Sequence, residues 1–374
     1  MVKFHLGLDH LIIVLHKEFL IFTNKTQENT WKFLQKVDCA VNFKTSSESC
    51  IDCCEFSPCG KYFGVSFDKN ILIYNTFEWN LLHIALGERK ASCLCFFPKS
   101  NIILLGNKTG FTTFYSFEGK ELSKVNSSLG HNSMLTSALI TDNEKYIITS
   151  DRDEKIRITN YPNTYNIERF CLGHKQFVCW LGFLPSNKEV LISCSGDGTI
   201  KFWNYLNGSE LAEYDCKSEI NCKKNNEDNK VVIVKVACCE LKSESILAVV
   251  EYKSNKVRIL KVKSDSTNNL VIEFVDNLVL PCVPWDIVFC NQCLICLVPN
   301  KSQPLSLWSK DGDNFKNEQF QNINQYLIDN FDYVINQNKQ ITDVIPILFK
   351  RDIDNVQEYQ KRKKARLLRT GKTA

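Results

Sequence analysis

Between residues 173 and 204 a few residue types stand at spacings that leave few folds open. Gly173-His174 opens the stretch, and apolar runs follow at Phe177 to Leu184 and Val190 to Cys194. Ser195-Gly196-Asp197-Gly198-Thr199-Ile200-Lys201-Phe202-Trp203-Asn204 closes it. The Asp-Gly pair suits a tight turn between two short strands, so the unit reads as a strand meander. A buried Trp203 needs an acceptor for its indole N–H, and Ser193, Asp197 and His174 are the polar groups at hand to form that hydrogen-bonded set.

This is a nearly complete WD repeat, and sliding it along the chain at a period of about 40 residues recovers weaker copies. Asp153 to Asn160 aligns with Asp197 to Asn204, with Thr159 in place of the Trp and Gly130-His131 upstream. Asp68 to Asn75 behind Cys50 to Pro58, and Gly110 to Ser116 with Tyr115 in the Trp slot, give blades two and three. Val231 to Phe274 and Val283 to Phe320, the latter with Trp308, supply two more, and residues 1–36 hold strands at Leu11 to Leu15, Phe19 to Thr23 and Trp31 to Leu34. The count reaches seven, so the predicted fold is an all-β, seven-bladed WD40 β-propeller over residues 1–322, whose closed ring leaves only short sheet edges. Met1 to Leu8 fits either the inner strand of blade one or the outer strand of blade seven. Lys217 to Lys230, polar and Asn-rich, reads as a surface loop. Residues 323–374 lose the pattern and read as a helical extension with a basic tail outside the ring.

Composition narrows the chemistry. Of 46 Lys and Arg against 42 Asp and Glu, seven cations fall in the last fourteen residues, where no acid occurs, so acids are in slight excess over residues 1–360. Any pull on nucleic acid by charge must come from a local patch or from the tail. The 18 cysteines are scattered through apolar runs such as Cys50, Cys53, Cys54 and Cys93, Cys95, as small hydrophobes of a reducing compartment are. No apolar run approaches the roughly 18 residues of a membrane span, so an intracellular, soluble protein is expected and its N-glycosylation sequons are chance matches. No catalytic or metal constellation emerges. Cys290, Cys293 and Cys296 have overlapping C-x-x-C spacing but sit in a strand with no second ligand cluster, and Gly106 to Gly110 lacks phosphate-loop spacing.

The unusual segment is Ser150 to Ile158, where six of nine residues are charged. Such charges keep an exposed hairpin soluble, or they form a docking surface on a rigid loop. Lys155 and Arg157, two apart, are expected on one face, where they can pair with a partner's carboxylates. The run Tyr146 to Arg157, with Ile167 to Val178 and Ser195 to Thr199, resembles the WD-repeat subunit of eukaryotic tRNA guanine-N7 methyltransferase. Asp354 to Tyr359 with its basic sequel is similar to that family too; the many cysteines and Asn-rich loops depart from it, leaving a diverged or germline role open.

The resemblance implies a heterodimer. Its catalytic partner binds S-adenosylmethionine and forms 7-methylguanosine in the tRNA variable loop, and this chain, with no cofactor or active site of its own, holds that partner. It further implies partner contact through Arg152, Lys155 and Arg157. The tail residues Lys361, Arg362, Lys363, Lys364 and Arg366 are expected either on tRNA or as a nuclear import signal, and the expected location is the nucleus, with the cytoplasm left open. Two rival readings remain. A ubiquitin-ligase substrate receptor often carries Arg two places after the repeat Trp, where this chain has Tyr205. A chromatin-associated peptide-binding propeller requires an aromatic or acidic lining at the central pore.

Overall fold

The computed structural model describes residues 3–7, 9–24, 31–41, 43, 49–118, 121–217, 231–265, 269–311, 314–318, 321–339 and 343–349. Among them lie 28 strands in seven antiparallel sheets of four, each sheet built from four consecutive strands. Blade one is β1–β4 (3–38), blade two β5–β8 (51–86), blade three β9–β12 (91–125) and blade four β13–β16 (135–171). Blades five, six and seven are β17–β20 (178–215), β21–β24 (233–279) and β25–β28 (286–318). Within a blade the first strand lies innermost. The turn between second and third strands and the link to the next blade share one face, called upper here.

The middle strands of each blade are buried on both sides, which is why they read as short apolar runs rather than as an alternation. In blade five β18 (Asn187–Ser195) and β19 (Thr199–Asn204) show this, while the outer β20 (Ser209–Asp215) is largely exposed. The core is the set of layers between neighbouring blades. One such layer packs Ile148 and Ile158 of blade four against Val178, Leu191 and Trp203 of blade five.

The ring closes by packing alone. Residues 3–6 form the inner strand of blade one, so no strand is shared between the terminal blades, and β1 (Lys3–Leu6) lies beside β25 (Asp286–Cys290). The Phe4 N–H donates to Asp286 Oδ2 at 2.7 Å, and Lys235 Nζ pairs with Asp286 Oδ1 at 2.6 Å. Two helices cover the seam: α1 (Gln321–Asp329) and α2 (Phe331–Lys339) bury Ile323, Leu327 and Val334 against Leu20 and Phe22 of blade one and Leu305 and Leu307 of blade seven. The Asn324 side chain bonds both the N–H and the C=O of Leu305 at 2.8 and 3.2 Å, and the Tyr326 ring stacks on Phe33 at 4.2 Å. These helices are therefore part of the propeller's core rather than a free appendage. A third, α3 (Ile345–Leu348), crosses the upper face, burying Ile345 and Leu348 with Phe177 and Val232 at blades five and six.

Candidate partner interface

Blade five holds the complete polar relay that its sequence spacing predicts. The Trp203 Nε1–H donates to Ser193 Oγ at 2.8 Å, and Ser193 Oγ lies 2.7 Å from His174 Nε2. Indole only donates, so the serine accepts from it and gives its own proton to Nε2; this leaves His174 Nδ1–H to donate to Asp197 Oδ2 at 3.1 Å. Burial alone would raise the Asp197 carboxyl, but the His174 contact and the Lys175 backbone N–H at 2.7 Å outweigh it and hold the group below the usual carboxylate range.

Blade four repeats the relay with two changes. Thr159 stands where Trp203 does, and its buried hydroxyl finds no partner among the described residues. Although Asp153 matches Asp197 in the repeat alignment, the carboxylate that reaches His131 is Asp151, at 2.8 Å, with Thr149 Oγ1 on the other ring nitrogen at 2.7 Å. Asp151 Oδ1 also accepts the backbone N–H groups of Asp153 and Lys155 at 2.9 and 3.0 Å. The turn, with Glu154 at φ 59°, thus folds around Asp151, leaving Lys155 exposed and Arg152, Asp153 and Glu154 part-exposed.

That turn carries the three residues expected to meet a partner, in unequal states. Lys155 is exposed, and Arg152 is part-exposed, its Nε 3.8 Å from Asp153 Oδ1, with its backbone N–H tied to Met134 O. Arg157 differs. It lies on β15 (Ile156–Asn160) directly across from Phe170 on β16 (Ile167–Cys171), holds its guanidinium 5.6 Å from that ring and donates through Nη1 to Gly130 O. Half of its cationic face is therefore spent inside the fold, and desolvation lowers its pKa. Arg152 and Lys155 are the members of the set whose side chains reach solvent at the turn. Beside them the outer edge of the blade exposes Phe170 and, at 63%, Leu172. Cations over an apolar strip suit a partner surface that carries carboxylates among apolar side chains.

Residues 112–311, blades three to seven, match the family described as tRNA methyltransferase TRM82 WD40 domain, and residues 38–75 match the WD domain, G-beta repeat. The chain is 32% identical over 302 residues to the tRNA (guanine-N(7)-)-methyltransferase non-catalytic subunit wuho of Aedes aegypti, covering 78% of this chain and 70% of that one. The chain belongs to this family. The human non-catalytic subunit WDR4 is 35% identical over 158 residues, 42% of this chain and 38% of that one. Among solved structures, the RRP9 WD40 repeats share a TM-score of 0.62 at 16% identity over 78% of this chain and 84% of that one, a likeness of fold.

Sequence reasoning missed part of this surface. Phe170 and Leu172 were legible only as residues of an outer strand, since no motif marks an apolar edge that stays uncovered. Tyr205, at the position where ubiquitin-ligase receptors carry Arg, is buried. Among the described residues no group of three or more His, Cys, Asp or Glu is arranged for a metal ion, and burial pushes the Cys290 thiol up to about 11 and Cys296 higher still, away from nucleophilic use. Lys361, Arg362, Lys363, Lys364 and Arg366, and the loop at 218–230, lie outside the described residues.

Proposed function

We propose that this chain is the non-catalytic subunit of a tRNA guanine-N7 methyltransferase, holding a catalytic subunit that binds S-adenosylmethionine and forms 7-methylguanosine in the tRNA variable loop. The observation that carries the reading is the 32% identity to the wuho subunit across 78% of the chain. The Asp151-centred turn supports it: a buried carboxylate fixes the backbone of the loop that carries Arg152 and Lys155, so little backbone entropy is left to lose on docking. In this reading the basic tail adds tRNA contact, and the complex works in the nucleus.

The test is co-purification with the catalytic subunit. Arg152→Glu with Lys155→Glu should remove binding, because losing one member of a desolvated charge pair costs about 2–5 kcal/mol and reversal adds repulsion. Arg157→Glu is a poor probe, since it also breaks the Gly130 and Phe170 contacts. Undiminished complex from the double variant would place the interface elsewhere.

A further inference from the structure

The segment Asp343–Phe349, which contains α3, sits on the ring as a ligand sits in a groove. Ile345 and Leu348, three apart and so on one side of the turn, are buried, while Val344 and Ile347 stay 43% and 60% exposed. Beneath the two anchors the propeller supplies Phe177 and Val232 from the links that flank blade five, Met134 from the link before blade four and Tyr252 from the upper turn of blade six. Cys179 of β17 (Val178–Leu184) and Val234 of β21 (Ile233–Leu241) belong to the same cluster, and both strands are innermost in their blades, so the segment lies over the upper mouth of the central channel.

The attachment differs from that of α1, whose Asn324 grips the backbone of Leu305. Among the described residues the segment makes no backbone hydrogen bond to the ring. Asp343 Oδ2 accepts from the Tyr252 hydroxyl at 2.5 Å, its Oδ1 accepts the Ile345 N–H at 3.0 Å, and the remaining hold is apolar. A helical turn of four residues is not stable alone in water, so the groove sets its shape. An acid followed by two aliphatic anchors three apart is the pattern of a helical turn laid into a groove, and the occupant thereby shows what the groove accepts. We propose that the upper mouth is a recognition groove for a short apolar helical turn of a partner protein, masked in cis by Asp343–Phe349 until the partner's segment displaces it. An occupant carried on the same chain acts at an effective concentration on the order of millimolar, so a free ligand of the same form meets strong competition.

Fluorescence anisotropy of a labelled peptide with the sequence of residues 341–350, added to the full chain, tests this. The parent should bind it weakly, because its own segment is in place. Ile345→Asp with Leu348→Asp keeps the tethered segment out of the groove and should bind the peptide at least tenfold more tightly, with Ile345→Ala and Leu348→Ala together falling between the two. The same peptide carrying aspartate at both anchor positions should bind neither chain, and adding Tyr252→Phe to the released chain should weaken binding, since it removes the contact to Asp343. Arg152→Glu with Lys155→Glu should leave the peptide affinity of the released chain unchanged, which separates this site from methyltransferase docking. The released chain should stay folded, because all seven sheets lie outside the segment. Peptide binding no tighter in the released chain than in the parent would overturn the proposal, and so would a released chain that does not fold, which would make the segment core. Parent dimers that vanish in the released chain would also overturn it, since a second copy would then be the occupant.

Discussion

At the scale of single residues, the relay in blade four ties the docking turn to the core through one imidazole. His131 is buried, and burial is the largest influence on it, lowering its pKa against the opposing pull of Asp151. The unfolded chain therefore takes up a proton below about pH 6.5 while the folded chain resists, so the stability that His131 contributes falls as pH drops through that value. Asp151 is also lowered, but against its burial: desolvation raises it, while His131 and the Lys155 backbone N–H pull it below its ordinary value, so its contribution is lost only below about pH 4. Urea midpoints measured from pH 7.5 to 5 should decline more steeply in the parent than in His131→Gln. Parallel curves would show that this histidine does not couple the turn to pH. Trp203 acts at the same scale without titrating, filling the layer between blades four and five while its N–H is satisfied by Ser193.

At the scale of elements, the seam between blades one and seven has to be held without a shared strand, and α1 and α2 supply what the sheets do not. Leu327 is 1% exposed between the two blades. Leu327→Ala should therefore cost about 2–5 kcal/mol, as removal of a core leucine does, although the residue lies outside all seven sheets. A melting shift of a degree or less would mean that β1 and β25 close the ring unaided. The seam also shows what a single sequence discloses. Blade five was legible because its relay places polar residues at fixed spacings around Trp203. In blade seven Trp308 keeps the slot, but its Nε1 has no partner among the described residues, so the repeat fades where closure is made. Phe4 meets Asp286 across 282 positions, a contact with no period to betray it. The shift from Asp153 to Asp151 was hidden for a different reason: an alignment counts residues, and this turn is set by which carboxylate reaches the buried imidazole.

At the scale of the whole molecule, the upper face of the ring gathers the docking turn and the last described helix: it carries Arg152 and Lys155 and is crossed by α3. The last described residue, Phe349, packs edge-on against Phe177 at 5.1 Å, and Met134, whose carbonyl holds the Arg152 N–H, belongs to the same apolar cluster. The last described residue before the seven cations of Lys361 to Lys372 is thus on the face proposed to hold the catalytic subunit. The 11 residues between Phe349 and Lys361 allow at most about 40 Å between those two positions. Since acids exceed cations over the rest of the chain, attraction of this subunit to tRNA phosphates should come mainly from the tail. Deleting residues 361–374 should leave the complex with the catalytic subunit intact and weaken its tRNA binding. It should also flatten the plot of log affinity against log salt by about 0.7–0.9 for each phosphate that the tail no longer neutralises. A truncated complex with the parent's salt slope would remove the tail from RNA binding and leave it to nuclear import, which the nuclear fraction of the same truncated chain would then report.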